Sequence, residues 1–349
     1  MSFWRKLFGH KTNDAEKIAS IHSQTEVLRP EEQDGERLQA EPQGLVMSAP
    51  FAEASESVVE ESVPAVPEAV HDSYEGPLSD HASLGQHSGG LRVGYASDVG
   101  QLRGHNEDTL AVFEGMHLGY NATGPFGFFV VTDGMGGHQA GEVASSLAAR
   151  VVTHEVLGNV YLPFLLDETP SADMAPLAEI LRSAVRKASQ RVHEHVPGGG
   201  GTTLTCALIL GGRAYIAHVG DSRAYLMTDR NIRQLTRDHS FVNRLIELGE
   251  LSPEDAIVHP QRHVLYRAVG QKDMLEVDTY QQSLPQGSRL LICSDGLSGV
   301  VTEKDIGAII ASAATPQHAC QRLVEAANRA GGPDNITAIL IETPSSRLG

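Results

Sequence analysis

Cysteine is scarce and scattered in this 349-residue chain: Cys206, Cys293 and Cys320 are the three, with no CxxC pair. That pattern supplies neither a disulfide framework nor the ligand spacing of a zinc site, and it fits a reducing compartment. Basic residues are also in deficit. There are 27 Lys and Arg against 44 Asp and Glu, a formal net charge of −17. Phosphate backbones are held by clustered cations, so this balance argues against a nucleic-acid binder. No apolar run approaches the ~18 residues of a helical membrane span. The first eleven residues mix Phe3, Trp4, Leu7 and Phe8 with Arg5 and Lys6, without the continuous apolar stretch of a secretory signal. The expected compartment is the cytoplasm.

The acid surplus is uneven. Residues 1–90 hold 6 Lys and Arg against 16 Asp and Glu, and the rest 21 against 28. This first stretch is rich in Glu, Ser, Ala, Pro and Gln, has few aromatics and keeps no period. Such a composition cannot bury enough apolar surface to offset ordering entropy, so 1–90 is expected to be a disordered acidic tail. A Gly-rich stretch ending at Gly89 and Gly90 forms its hinge.

From residue 91 to 349 the texture is that of a folded domain. Alternating or continuous apolar runs predict strands over 91–96, 109–114, 127–132, 203–210, 213–219, 223–228, 231–235, 275–283, 288–293 and 335–342. The third ends in an expected turn at Asp133 and Gly134. Helical spacing predicts helices over 138–156, 175–196, 240–248, 303–313 and 316–329. Linked strands with helices in paired blocks suggest an α+β or α/β layered sandwich and not a strict βαβ alternation.

Carboxylates recur at the ends of these strands. Glu107 with Asp108, Asp133 with Gly134, Asp221, Asp295 with Gly296, and Asp334 with Asn335 each follow or precede an apolar strand. Any one of them could simply mark a turn. Together they form an oxygen-only ligand set, which selects hard divalent cations such as Mg2+ or Mn2+. Converged carboxylates repel one another unless a cation lies among them.

The blocks 97–108 and 131–142, followed in order by 201–204, 219–225, 294–297 and 332–337, closely resemble bacterial PPM (type 2C) metal-dependent serine/threonine protein phosphatases. The stretch 235–270 resembles that family's flap region. The resemblance implies an α-β-β-α sandwich of two antiparallel sheets flanked by helices. It also implies hydrolysis of phosphoserine and phosphothreonine by in-line attack of a water bridging two Mn2+ or Mg2+ ions. By the same resemblance Asp133 bridges the ions and Gly134 offers its carbonyl to one. Asp295 and Asp334 bind the other, and Glu107 and Asp108 act mainly through waters. Asp221, with Asp295, serves a third, weaker metal, and Arg103 holds the substrate phosphate. Met135 stands where eukaryotic relatives carry a proton-donating His, so a metal-bound water is the preferred donor over His138.

The implied partners are phosphorylated proteins, an opposing Ser/Thr kinase system and a protein docked on the tail. The same centre would also suit a small phosphoester. A catalytically dead docking protein is disfavoured, because every matched ligand position keeps its carboxylate.

Overall fold

A computed structural model of the chain describes residues 90–117, 123–136, 139–165, 176–196, 200–229, 231–271 and 274–344. Residues 1–89 of the expected tail, together with Gly137 and His138, lie outside the described residues.

Among the described residues, eleven strands form two antiparallel sheets. One has the order β1 (Arg92–Asp98), β11 (Ile336–Glu342), β10 (Arg289–Cys293), β7 (Arg223–Thr228) and β8 (Asn231–Gln234). The other runs β2 (Asp108–His117), β3 (Thr123–Met135), β5 (Leu204–Leu210), β6 (Arg213–Val219) and β9 (Asp278–Ser283), with the two-residue β4 (Gly201–Thr202) on the far end of β3.

Strand periodicity builds the layers. Successive side chains point to opposite faces, so strands buried on both faces read as unbroken apolar runs. On β3, Phe129 and Val131 enter the core between the sheets, where they meet Ile209, Ile292, Ile339 and Ile341. Phe128 and Val130 face the other way, onto helices α1 (Gln139–Val156) and α3 (Leu177–His195) through Ala148, Val152, Leu181 and Val185. The second sheet does the same. Leu291, Ala338 and Leu340 pack under α7 (Glu303–Ser312) and α8 (Pro316–Arg329), against Ile306, Ile310 and Leu323. The result is the expected α-β-β-α sandwich.

Short helices α2 (Leu162–Leu165), α4 (Phe241–Glu247), α5 (Pro253–Ile257) and α6 (Asp295–Ser298) fill connections. Of these only α4 is legible in the sequence, as are the starts of α7 and α8. Thr302 and Thr315 accept the backbone N–H groups of Asp305 and His318, satisfying otherwise orphaned donors. A π-turn over Leu157–Tyr161 continues α1 beyond its expected end.

The expected turn at Asp133 and Gly134 is not one. Strand β3 continues to Met135, with Gly134 paired to Thr202 and Met135 to Gly201. The extra ladder with β4 keeps this backbone extended.

Candidate metal centre

Antiparallel register gathers the carboxylates at one rim of both sheets. Asp108 opens β2 and faces Asp133 directly across the ladder. Strand β6 ends just before Asp221, β10 just before Ser294 and Asp295, and β11 begins just after Asp334 and Asn335. A cleft of about 800 Å3 at this rim is lined by Arg103, Glu107, Asp133, Gly134, Asp221, Asp295 and Asp334. All the expected site residues but Asp108 line it, and Asp108 lies buried beneath.

Small polar neighbours hold several of the acids. Thr203 Oγ1 accepts the Asp133 N–H at 2.9 Å and pairs with Ser222 Oγ at 2.8 Å, so one side chain brackets Asp133 and the Asp221 turn. Ser294 Oγ donates to Asp108 Oδ2 at 2.8 Å and accepts the Thr337 N–H at 2.9 Å, tying β2 to β10 and β11. Asn335 accepts the Glu107 N–H on Oδ1 at 2.8 Å and donates to the carbonyls of Val99 and His105 at 2.9 and 2.8 Å. It thereby pins the loop that carries Arg103. The Glu107 carbonyl accepts the Gly134 N–H at 3.1 Å. Gly134 is required here, because a Cβ would fall 2.2 Å from the Gly141 carbonyl oxygen.

Burial and crowding make the charged acids costly. Burial pushes Asp108 up to about 7, Asp295 and Asp334 add repulsion, and hydrogen bonds from Thr337 and Ser294 oppose the rise. Asp133 lies well above the usual carboxylate range, from burial first and then from Asp108, Asp295, Asp221 and Asp334. Asp221 is raised too, by burial and by Asp295 and Asp238, with Arg223 opposing. Like charges directly opposite in a ladder are destabilising, and Asp108 and Asp133 are such a pair.

Among the described residues, two buried side-chain oxygens accept no hydrogen bond: Asp108 Oδ1 and Asp295 Oδ1. A buried orphaned acceptor is expensive, and a divalent cation satisfies both it and the surplus charge. No three carboxylates, histidines or cysteines among the described residues close a ligand cage by themselves. The donors are all oxygen, a set that fits hard dications completing their shells with carbonyl oxygen and water.

Arg103 is half-exposed at the cleft rim, its Nη2 2.7 Å from Asp334 Oδ2. Arg262 and His263 reach the same cleft from the excursion between β8 and β9, with His263 Nδ1 3.8 Å from Asp295 Oδ2. Both fall in the stretch read as a flap, without roles of their own. Thr203, Ser294 and Asn335 likewise sit inside the quoted blocks. Their signal is a small polar residue placed beside an acid at the end of a buried strand.

An α-β-β-α sandwich whose rim joins crowded acids to an exposed guanidinium defines a cation-dependent, phosphate-handling protein. A family model described as Protein phosphatase 2C matches residues 117–333. The serine/threonine phosphatase stp of Listeria monocytogenes is 36% identical over 268 residues, covering 74% of this chain and 98% of the relative. A Streptococcus agalactiae serine/threonine phosphatase structure aligns with TM-score 0.63 at 30% identity, over 72% of this chain and 99% of that one. The catalytic domain of the phosphatase PstP, solved in complex with two manganese ions, aligns with TM-score 0.56 at 33% identity, over 72% and 97%. The chain belongs to the protein phosphatase 2C family.

Proposed function

We propose that this chain is a protein serine/threonine phosphatase that depends on Mn2+ or Mg2+. The observation that carries the reading is the gathering of Asp108, Asp133, Asp221, Asp295 and Asp334 at one rim, two of them with orphaned buried oxygens. Asp133, the Gly134 carbonyl, Asp295 and Asp334 would hold two dications, with Glu107 and Asp108 assisting through water and Asp221 serving a third, weaker site. Bound there, such ions acidify water at neutral pH and neutralise charge on a phosphoryl group.

The chain's own residues supply orientation. Arg103 presents a planar fork that grips two phosphoryl oxygens and stays charged near neutrality. Water adds to phosphorus as the ester bond to the Ser or Thr oxygen breaks, and that oxygen must gain a proton. Met135 lines the cleft and has none to give. We assign that proton to water held in the cleft, in preference to His105 and His263, which also line it.

Residues 1–90 form a separate acidic tail attached to a catalytic unit of 91–349. It takes no part in the chemistry, because every matched site residue lies beyond it. Substrates are phosphorylated cytoplasmic proteins, and a Ser/Thr kinase system supplies them.

Release of phosphate from pSer, pThr and pTyr peptides, with an aryl phosphate for comparison, tests this reading. Full-length and tail-deleted chains should act on pSer and pThr peptides alike, only with Mn2+ or Mg2+, and lose activity on chelation. Full turnover in a verified metal-free sample would refute the metal reading. Preference for the small ester over every peptide would favour a small-molecule substrate. Limited proteolysis should remove the tail and leave a resistant core; a core that unfolds without the tail would refute the division.

A further inference from the structure

His239 lies outside the ligand set yet is 1% exposed, at the base of the excursion that brings Arg262 and His263 to the cleft. The two ends of that excursion are stapled there. Phe241 N–H donates to the Val264 carbonyl at 2.7 Å, Tyr266 N–H to the His239 carbonyl at 3.0 Å, and Ser240 bridges Leu265.

On its other side His239 grips one residue, Gly220, twice. Its own N–H donates to the Gly220 carbonyl at 2.7 Å, and the Gly220 N–H donates to its Nδ1 at 3.1 Å. Gly220 has φ +110°, and a Cβ there would come within 2.6 Å of the Thr203 side chain. No other residue fits, and the next one is Asp221.

The ring is fixed from three directions. A backbone N–H can only donate, so Nδ1 accepts and the ring proton sits on Nε2, which faces Asp278 Oδ2 at 3.3 Å. Arg267 pairs with Asp278 at 3.1 Å and holds that carboxylate in place. The His218 ring lies 4.9 Å away, itself bonded to Thr205 Oγ1 and the Arg237 carbonyl.

We infer that His239 is a positioning residue that locks the Gly220–Asp221 backbone to the neck of the 240–265 excursion, so that Asp221 and the excursion hold their positions together. The inference rests on the reading of Asp221 as the holder of a weaker third dication. Removing the Nδ1 acceptor frees the turn, and Asp221 then binds its ion less well.

The test is Mn2+ titration of the full chain by calorimetry, on variants whose fold is verified by thermal unfolding. His239→Asn keeps an acceptor at the Nδ1 position and should bind Mn2+ like the wild type. His239→Gln moves the polar atoms to the Nε2 position and should weaken only the weaker class of sites, by about 10- to 100-fold, the range for ligand-orienting partners. Wild-type affinities in His239→Gln would overturn the inference.

Asp221→Asn is the control. If it leaves the weaker class unchanged, the metal reading of Asp221 fails and the inference with it. If it removes that class while His239→Gln does not, the inference alone fails. Should the Gln variant not fold, hydrogen exchange on the wild type decides. Mn2+ saturation should slow exchange at the Gly220, Phe241 and Tyr266 amides, and unchanged rates there would overturn the coupling.

Discussion

Arg103 shows how one side chain can serve two purposes in the same cleft. Its pairing with Asp334 is largely solvent-exposed, so the ion pair contributes little to stability, about 0–1 kcal/mol. A phosphoryl group held by the same fork gains a charge-assisted hydrogen bond of about 1.5–3 kcal/mol. Arg103→Ala should therefore leave the melting temperature nearly unchanged while lowering kcat/KM on a phosphopeptide by roughly 10- to 100-fold, mainly through KM. Arg103→Lys should recover only part of the loss, because an ammonium has no fork. Unchanged kcat/KM for Arg103→Ala would show that the phosphate is held elsewhere.

Between elements, the centre depends on side chains that join segments distant in sequence. Asn335, at the start of β11, accepts from Glu107 and donates to Val99 and His105. Asn335→Asp would set a carboxylate oxygen against those two carbonyls and remove both donors. Chemical unfolding should show a loss of about 1–3 kcal/mol, the cost of unsatisfied buried partners. Mn2+ affinity should fall together with phosphatase activity, because the loop bearing Arg103 and Glu107 is no longer pinned. Lost stability with intact Mn2+ affinity would mean that Asn335 supports the fold alone.

For the whole molecule, the rim stores electrostatic cost that pH reveals. Asp108 titrates near 3.8 in an unfolded chain and near 7 when buried, and Asp133 and Asp221 are raised as well. A raised carboxyl means that the folded chain holds protons more tightly than the unfolded one. Without metal, this contribution to stability is full below about pH 3.8 and declines as pH rises through 7. Dications bind the deprotonated acids, so their stabilisation grows over the same range. The difference in melting temperature between Mn2+-saturated and chelated samples should widen from about pH 5 to pH 8. A difference independent of pH would place the stabilising ion away from these carboxylates.

The sequence by itself determined the layered class, the main strands and long helices, and the acids of the rim. Those features are local: a doubly buried strand such as β3 must be apolar throughout, and an acid beside Gly or Asn at its end is visible without a partner. The small elements α2, α5 and α6 and the β4 ladder were not legible, since a few residues carry no period and are fixed by what they pack against. Only the tertiary structure decided that Asp133 lies within a strand, that Thr203 serves both Asp133 and Ser222, and that His239 holds Gly220. Each of these depends on a contact between residues far apart in sequence, and an isolated Thr, Asn or His looks the same whether it holds a ligand turn or faces water.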